Sequence, residues 1–69
     1  MKISARNQIP GKVVEVVKGA TTAHIKINIG GSIVITASIT NEAVDDLQLK
    51  SGGAATVIIK ASDVMVGVS

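Results

Sequence analysis

The chain has 69 residues, of which 46% are hydrophobic and 17% charged, and its net charge is +2. It contains no cysteine, no aromatic residue and a single histidine, His24, which excludes disulfides, thiolate metal sites and a histidine-rich metal site within one chain. Without aromatic rings on which bases stack, binding of single-stranded nucleic acid is also disfavoured. A chain this short buries only about 60% of its unfolded surface, so we expect partner subunits to supply stability.

Segments that direct a protein to or through a membrane are not visible in the sequence. The chain starts with Met1-Lys2-Ile3-Ser4 and lacks the apolar run of a signal peptide there. No stretch approaches the roughly 18 consecutive apolar residues of a membrane-spanning helix. We therefore expect a cytoplasmic protein that has no membrane partner.

Glycine, proline and alternating apolar residues divide the chain into five predicted strands. They cover residues 12–18, 22–29, 32–39, 55–60 and 64–68. The second and third strands meet at Gly30-Gly31, a pair that is typical of a hairpin turn. Their alternation places one set of apolar residues on the inner face: Ala23, Ile25, Ile27, Ile29, Ile33, Ile35, Ala37 and Ile39.

The segment TNEAVDDLQL, residues 40–49, changes to a helical period and predicts one short helix. Thr40 or Asn41 is expected to cap its first turn, and the apolar side chains of Ala43, Val44 and Leu47 are expected to face the core. The resulting order, β-β-β-α-β-β, is that of a five-stranded OB-fold-like barrel. We therefore predict an all-β fold with one short helix, in a single domain over residues 1–69.

Two runs are apolar on both faces of their predicted strands. The first has valine at positions 13, 14, 16 and 17, and the second is Val57-Ile58-Ile59. A sheet with one wet face carries a polar residue at every second position, so these runs indicate a face that another chain covers. The alternative is a closed small barrel with some exposed valines. We expect an oligomer on this basis.

Residues that could form a catalytic site are sparse. His24 lies in the middle of a predicted strand, on its polar face, and no neighbouring pattern points to a partnered base. Asp45 and Asp46 are adjacent on the helix, so their carboxylates do not face each other. The phosphate-binding pattern G-x-x-x-x-G-K-[ST] does not occur. We therefore predict that the protein is not an enzyme.

Three segments offer hydrogen-bond donors without accompanying carboxylates. They are Ser4-Ala5-Arg6-Asn7-Gln8, Lys60-Ala61-Ser62, and the start of the helix at Thr40. Cations, hydroxyl groups and free backbone N–H groups in such segments bind anions through charge-assisted hydrogen bonds. The alternative is that these residues are ordinary surface charges and turn residues.

Two stretches near the ends of the chain also carry a family pattern. They are MKISARNQ followed by GKV, within residues 1–13, and IKASDVMV, residues 59–66. Together with Ile39-Thr40 and the Leu47-Gln48-Leu49 stretch before Gly52, they resemble the molbindins, small cytoplasmic molybdate- and tungstate-binding proteins built from one Mop domain. The resemblance implies an OB-like barrel, a homo-hexamer built as a trimer of dimers, and oxyanions bound between subunits without any other cofactor.

The resemblance also implies which residues bind the oxyanion. One subunit would supply an N-terminal group and another a C-terminal group: Ser4, Ala5 and Arg6, and Lys60, Ala61 and Ser62. Ala5 and Ala61 would act through the backbone, and Thr40 would add a hydroxyl group. Weaker candidates, for a second kind of site, are Asn7, Lys18, Gly19 and Ala20. The metal keeps its own oxygens in such a site, so no direct coordination by the protein is expected.

The function expected from this resemblance is storage and buffering of molybdate or tungstate inside the cell. One alternative is an OB-type nucleic-acid-binding module, for which the sequence lacks aromatic residues and a basic groove. Another is a purely structural oligomerisation domain. That alternative explains the apolar faces but not the donors of Ser4, Arg6, Lys60 and Ser62.

Overall fold

The computed structural model describes residues 1–69 as four strands, one α-helix and one turn of 3-10 helix. The elements are β1 (Asn7–Lys18), β2 (Thr22–Gly30), β3 (Ile33–Thr40), α1 (Asn41–Asp46), β4 (Ala54–Ile59) and the 3-10 turn Ala61–Asp63. The strands form one antiparallel sheet in the order β3-β2-β1-β4. A mostly-β fold with one short helix is therefore confirmed. Neither helical segment has the length and apolar character needed to cross a membrane.

Strand β1 is longer than predicted because its two halves pair with two different strands. Its first half, Asn7 to Lys12, pairs with β4, and its second half, Lys12 to Lys18, pairs with β2. The predicted start at residue 12 was wrong, since Pro10 and Gly11 lie inside the ladder with β4. A Cβ atom on Gly11 would lie 2.7 Å from the carbonyl oxygen of Asn28. Glycine therefore lets β1 approach β2 closely where it changes partner.

A bulge in β1 accounts for part of its apolar character. The register with β2 shifts between Val13 and Glu15, so that Val13 lies opposite Ile27 and Val16 opposite Ile25. Both valines therefore face the core although they are three residues apart. Val14 and Val17 face outward, with 44% and 53% of their surface exposed. The apolar run thus reflects an irregular strand as well as an exposed apolar face.

The core follows the predicted alternation of β2. Its six buried residues are Val13, Ala23, Ile25, Ile27, Val44 and Val57. Of the other residues predicted to face inward, most are partly buried against this core: Ile29, Ile35, Ala37 and Ile39. Ile33 is 60% exposed, because β3 begins there, directly after the hairpin turn.

Helix α1 is capped by one of the two predicted residues, but it ends before Leu47, the last of the predicted apolar residues. The backbone N–H of Ala43 donates to the hydroxyl oxygen of Thr40 at 3.0 Å, which confirms Thr40 as the N-cap. Val44 is buried, whereas Leu47 is 65% exposed. The prediction that Leu47 faces the core was wrong, because the helix ends at Asp46 and Leu47 lies beyond its last turn.

The fifth strand predicted over residues 64–68 does not form in this chain. Val64 has extended backbone angles, yet no backbone hydrogen bond joins the following residues to the sheet. The side chains of Met65, Val66 and Val68 are 93%, 90% and 97% exposed. A strand requires a partner for its backbone groups, and this segment has none. The edges of β3 and β4 therefore stay unpaired and the barrel stays open between them.

An apolar trough lies at this opening. It has a volume of about 520 Å³, and 11 of its 12 lining residues are hydrophobic. These residues come mainly from β2, β3 and β4, with Leu47 and Leu49 from the loop after α1. We call this cavity the apolar trough and residues 64–69 the C-terminal tail.

Candidate functional site

The ladder between β1 and β4 brings the two predicted donor segments side by side. Asn7 lies opposite Ile59 at the end of this ladder, and its side-chain amide donates to the Ile59 carbonyl at 3.1 Å. Arg6 and Lys60 therefore leave the sheet as neighbours. We call the six residues at this edge the Arg6 cluster: Ser4, Ala5, Arg6, Lys60, Ala61 and Ser62. Both halves of the predicted site thus meet within a single chain.

The cations of the Arg6 cluster are free of partners within the chain. The two ion pairs of the structure join Lys18 to Asp45 at 2.6 Å and Lys26 to Glu15 at 3.6 Å. The side chains of Arg6 and Lys60 form no hydrogen bond and no ion pair, and Asp63, in the 3-10 turn, forms no ion pair either. Both cations are exposed. The cluster therefore presents two unpaired positive charges on an exposed surface.

Hydroxyl and backbone donors accompany these cations. The hydroxyl groups of Ser4 and Ser62 make no hydrogen bond in the chain, and the backbone N–H of Ala5 donates to no carbonyl. The side-chain amide of Gln8 donates to the Ala5 carbonyl at 3.0 Å. Carbonyl and N–H point in opposite directions in a trans peptide, so this bond turns the N–H of Arg6 away from Gln8. Sequence reasoning included Gln8 in the donor segment but did not identify this contact.

Thr40 lies far from the Arg6 cluster. It pairs with Thr22 at the other end of β1, beside the turn of residues 18–21, which we call the Lys18 turn. At about 3.3 Å per residue, the 12 residues of β1 are at most roughly 35 Å long, and the bulge after Val13 shortens the strand. One chain therefore does not bring Thr40 to Arg6 and Lys60; it places Thr40 with the weaker candidates Lys18, Gly19 and Ala20. Asn7, the other weaker candidate, lies beside the Arg6 cluster.

The start of α1 has few free donors. The helix has only six residues, and the backbone N–H groups of Asn41 and Ala43 donate to Thr21 O and Thr40 Oγ1, at 2.9 and 3.0 Å. The carboxylate of Glu42 also lies in the first turn. The helix start is thus less suited to an anion than expected, and its remaining donors are the hydroxyl hydrogen of Thr40 and the backbone N–H of Glu42.

Contacts with α1 hold the Lys18 turn. The Lys18 ammonium pairs with Asp45, and the side-chain amide of Asn41 donates to the Gly19 carbonyl at 3.0 Å. The backbone N–H of Ala20 donates to no group in the chain. A shallow depression of about 340 Å³ lies beside the turn, lined by Val17, Gly19, Thr22 and His24. The turn therefore combines a fixed backbone, a free donor and space for a small ligand.

Metal ligation by protein side chains has no visible site. The structure contains no group of three or more His, Asp or Glu side chains that could hold a metal ion. The chemistry available at the Arg6 cluster and the Lys18 turn is hydrogen bonding from cations, hydroxyl groups and backbone N–H groups.

The sequence model of the TOBE domain matches residues 3–66, nearly the whole chain. The chain belongs to the TOBE domain family. Within this family it is of the molbindin type. This TOBE domain chain is 50% identical over 68 residues to the Haemophilus influenzae protein named "Probable molybdenum-pterin-binding protein", a match that covers 99% of each chain.

Two solved structures share the fold of this TOBE domain chain. A molybdate-binding protein from Sporomusa ovata has a TM-score of 0.93 and 38% sequence identity, over 99% of this chain and 100% of that one. The cytoplasmic molybdate-binding protein ModG, with molybdate bound, has a TM-score of 0.94 and 40% identity. This chain matches ModG over its full length and covers 49% of ModG. The resemblance to the molbindins and the OB-like fold are confirmed.

Proposed function

We propose that the protein binds molybdate or tungstate and stores and buffers these oxyanions inside the cell. The observation that carries the proposal is the Arg6 cluster, in which Arg6 and Lys60 directly adjoin the last pair of the β1–β4 ladder, Asn7 and Ile59, and neither side chain has an ion-pair partner. The Sporomusa ovata protein and ModG bind molybdate, which supports the same ligand here. ModG is cytoplasmic, which supports the same location.

The donors of the Arg6 cluster match an anion that carries no proton. Molybdate at neutral pH is fully deprotonated and offers only acceptors, and its metal keeps four oxygens, so no coordinate bond to the protein is needed. Hydrogen phosphate would also bring a donor that requires an acceptor. An unpaired buried polar group costs about 1–3 kcal/mol, so phosphate is disfavoured where the Ser4 and Ser62 hydroxyl groups both donate to the anion and no oxygen is left to accept its proton. Sulfate, which also offers only acceptors, has to be rejected by its smaller size.

A second subunit is needed to take the oxyanion out of water. Ser4, Arg6, Lys60 and Ser62 are all exposed, so in one chain water would compete for every donor. Charge-assisted hydrogen bonds gain strength where the surrounding dielectric constant is low. We therefore propose that the oxyanion binds between subunits, with the N-terminal group of one subunit facing the C-terminal group of another, in the homo-hexamer, a trimer of dimers, that the molbindin resemblance implies.

The open barrel supports the oligomer independently of the ligand. The apolar trough lies between two unpaired strand edges, and the C-terminal tail is exposed and rich in valine. An unpaired edge is a template for a strand of another chain. We propose that the tail of a neighbouring subunit fills the trough and completes the barrel.

A pterin is a less suitable ligand, although the Haemophilus influenzae relative carries that word in its name. A pterin is a flat ring with donors and acceptors along its edge. The apolar trough offers Thr56 as its one polar side chain, and the chain has no aromatic residue for stacking. An inorganic oxyanion therefore fits the available donors better.

Titration with four anions tests the proposal. Molybdate and tungstate are expected to bind measurably in a calorimeter and to raise the melting temperature, because each filled site stabilises the assembly by about 2.7 kcal/mol at a hundredfold excess over Kd. Sulfate and phosphate at equal concentration and ionic strength are the controls, and a much smaller shift is expected for them. An equal shift with all four anions would mean that the protein responds only to ionic strength.

The ion pair of Lys18 offers a second test, at the Lys18 turn. Asp45→Asn releases the Lys18 ammonium and is expected to tighten oxyanion binding there by about two- to fivefold, since an exposed pair holds up to about 1 kcal/mol. Asp46→Asn is the matched control, because it removes the same charge from the next residue without touching Lys18. Calorimetry that shows equal tightening in both variants would attribute the effect to net charge and remove Lys18 from the site.

A further inference from the structure

Asn41 joins helix α1 to the Lys18 turn through two of its groups. Its side-chain amide Nδ2 donates to the Gly19 carbonyl at 3.0 Å, and its backbone N–H donates to the Thr21 carbonyl at 2.9 Å. The turn is also closed on itself by the bond from Gly19 N–H to the Thr22 carbonyl at 2.7 Å. Two carbonyl groups of the turn are therefore drawn towards the helix.

The orientation of the Asn41 amide is fixed but leaves one atom without a partner. Its Oδ1 atom is buried and accepts no hydrogen bond. Rotation of the amide by half a turn would place Oδ1 against the Gly19 carbonyl, where two acceptors repel each other. A buried acceptor without a donor opposes stability and offsets the gain from the bond to Gly19. The Asn41 side chain therefore contributes little net stability, although it determines the geometry of the turn.

The bond to Gly19 also determines where the next donor points. The Gly19 carbonyl and the Ala20 N–H belong to one planar peptide, and the chain contains no cis peptide bond. In a trans peptide these two groups point in opposite directions. Because the carbonyl points to Asn41, the Ala20 N–H points away from α1. This N–H has no acceptor in the chain, and Ala20 is exposed.

We propose that Asn41 is a positioning residue for oxyanion binding at the Lys18 turn. Its side chain holds the Gly19 carbonyl so that the Ala20 N–H is presented outward, away from α1, as a donor to the anion. Asn41 itself does not touch the anion. The inference rests on the proposed function, since it takes the same oxyanion as the ligand.

Residue-specific NMR on the assembled protein tests this role. Titration of wild type with molybdate is expected to shift the amide signals of Ala20 and of Arg6. In Asn41→Leu the shift at Ala20 is expected to require about tenfold more molybdate, because the donor is no longer oriented. The response at Arg6 and the melting temperature without ligand are expected to change little, because leucine removes the unpaired Oδ1 together with the bond to Gly19.

Two further variants separate positioning from stability. Asn41→Asp keeps the shape of the side chain but replaces the donor with a carboxylate, so it should also impair the response at Ala20. It is measured in the same way, and it serves as the primary variant if Asn41→Leu does not fold. Asn28→Ala is the control, since it removes a bond of the same kind in a different turn, from Asn28 Nδ2 to the Gly31 carbonyl at 3.0 Å, together with the bond that Asn28 Oδ1 accepts from the Gly30 N–H at 2.8 Å. This control is expected to leave the Ala20 response unchanged.

The outcomes distinguish this inference from the proposed function. A wild-type Ala20 response in both Asn41 variants would overturn the positioning role. A response at Arg6 without any at Ala20 in wild type would also overturn it, while leaving the Arg6 cluster as an oxyanion site. No response at either residue would overturn the proposed function as well.

Discussion

Lys60→Ala is expected to weaken molybdate binding by about ten- to a hundredfold and to leave the fold intact. The Lys60 side chain makes no hydrogen bond or ion pair in the chain and is exposed, so its truncation breaks no internal contact. A dianion held between subunits would lose one charge-assisted hydrogen bond, which is worth about 1.5–3 kcal/mol. Calorimetric titration of the folded variant measures the loss.

Lys50→Ala provides the matched control for this change. Lys50 is also an exposed lysine without an ion pair, but it lies in the loop before β4, away from the Arg6 cluster. Its removal changes the net charge equally and is expected to leave binding nearly unchanged. Wild-type affinity in Lys60→Ala, or an equal loss in both variants, would remove Lys60 from the site.

Arg6 is expected to bind the anion with a different geometry from that of Lys60. A guanidinium group offers a planar fork of donors, whereas an ammonium group is a compact point charge. If Arg6 binds the anion with two donors, Arg6→Lys should bind as weakly as Arg6→Ala; if only charge matters, lysine should restore most of the affinity. The same titration distinguishes these cases.

Mixing two variants shows whether the site spans subunits. Arg6 and Lys60 of one chain both adjoin the Asn7–Ile59 pair, so the alternative to a shared site is one formed within a single chain. Refolding a mixture of Arg6→Ala and Lys60→Ala chains creates interfaces where an intact Arg6 faces an intact Lys60 of another subunit. Partial recovery of tight sites is expected from the interface arrangement. No recovery would place both cations of each site in the same chain.

The sequence was informative where the chain is regular. The alternation from Ala23 to Ile27 matched the buried face of β2, and local chemistry narrowed the helix cap to Thr40 or Asn41, of which Thr40 is the cap. The bulge after Val13 could not be read from periodicity, because a bulge moves residues to the other face without changing composition. Pro10 was taken as a strand boundary, but it lies in the ladder between β1 and β4.

In the candidate site, too, local sequence patterns predicted some features and not others. The residue types alone predicted that Ser4, Arg6, Lys60 and Ser62 could donate hydrogen bonds to an anion. The prediction that the N-terminal and C-terminal residues act in one site came from the family pattern. Their adjacency follows from the ladder between β1 and β4, a contact between segments about 50 residues apart that local patterns do not determine. For the same reason the sequence grouped Thr40 with Arg6, although the length of β1 separates them within one chain.

Removal of the C-terminal tail, residues 64–69, is expected to abolish the oligomer. The tail is exposed in the single chain, while the apolar trough and the edges of β3 and β4 have no partner. Alternate residues of a strand share a face, so Val64, Val66 and Val68 can enter the trough together. Full burial of a valine contributes about 1.5–3 kcal/mol, and since Val64 is only 49% exposed beforehand, each tail gains roughly 4–8 kcal/mol. Sedimentation equilibrium at micromolar concentration should show a hexamer for the full chain and smaller species after truncation.

The alternation of the tail provides a matched pair of point variants. Val66→Asp would place a carboxylate in the apolar trough and is expected to dissociate the oligomer as truncation does, because a buried charge without a partner is strongly unfavourable. Met65→Asp introduces the same charge one residue earlier, on the opposite face of the strand, and is expected to keep the assembly. A hexamer in both variants would show that the tail does not fill the trough, and a stable monomer of the unaltered 7.0 kDa chain would contradict the oligomer itself. Since the oxyanion is placed between subunits, Val66→Asp should also lose molybdate binding although it leaves every proposed ligand residue in place.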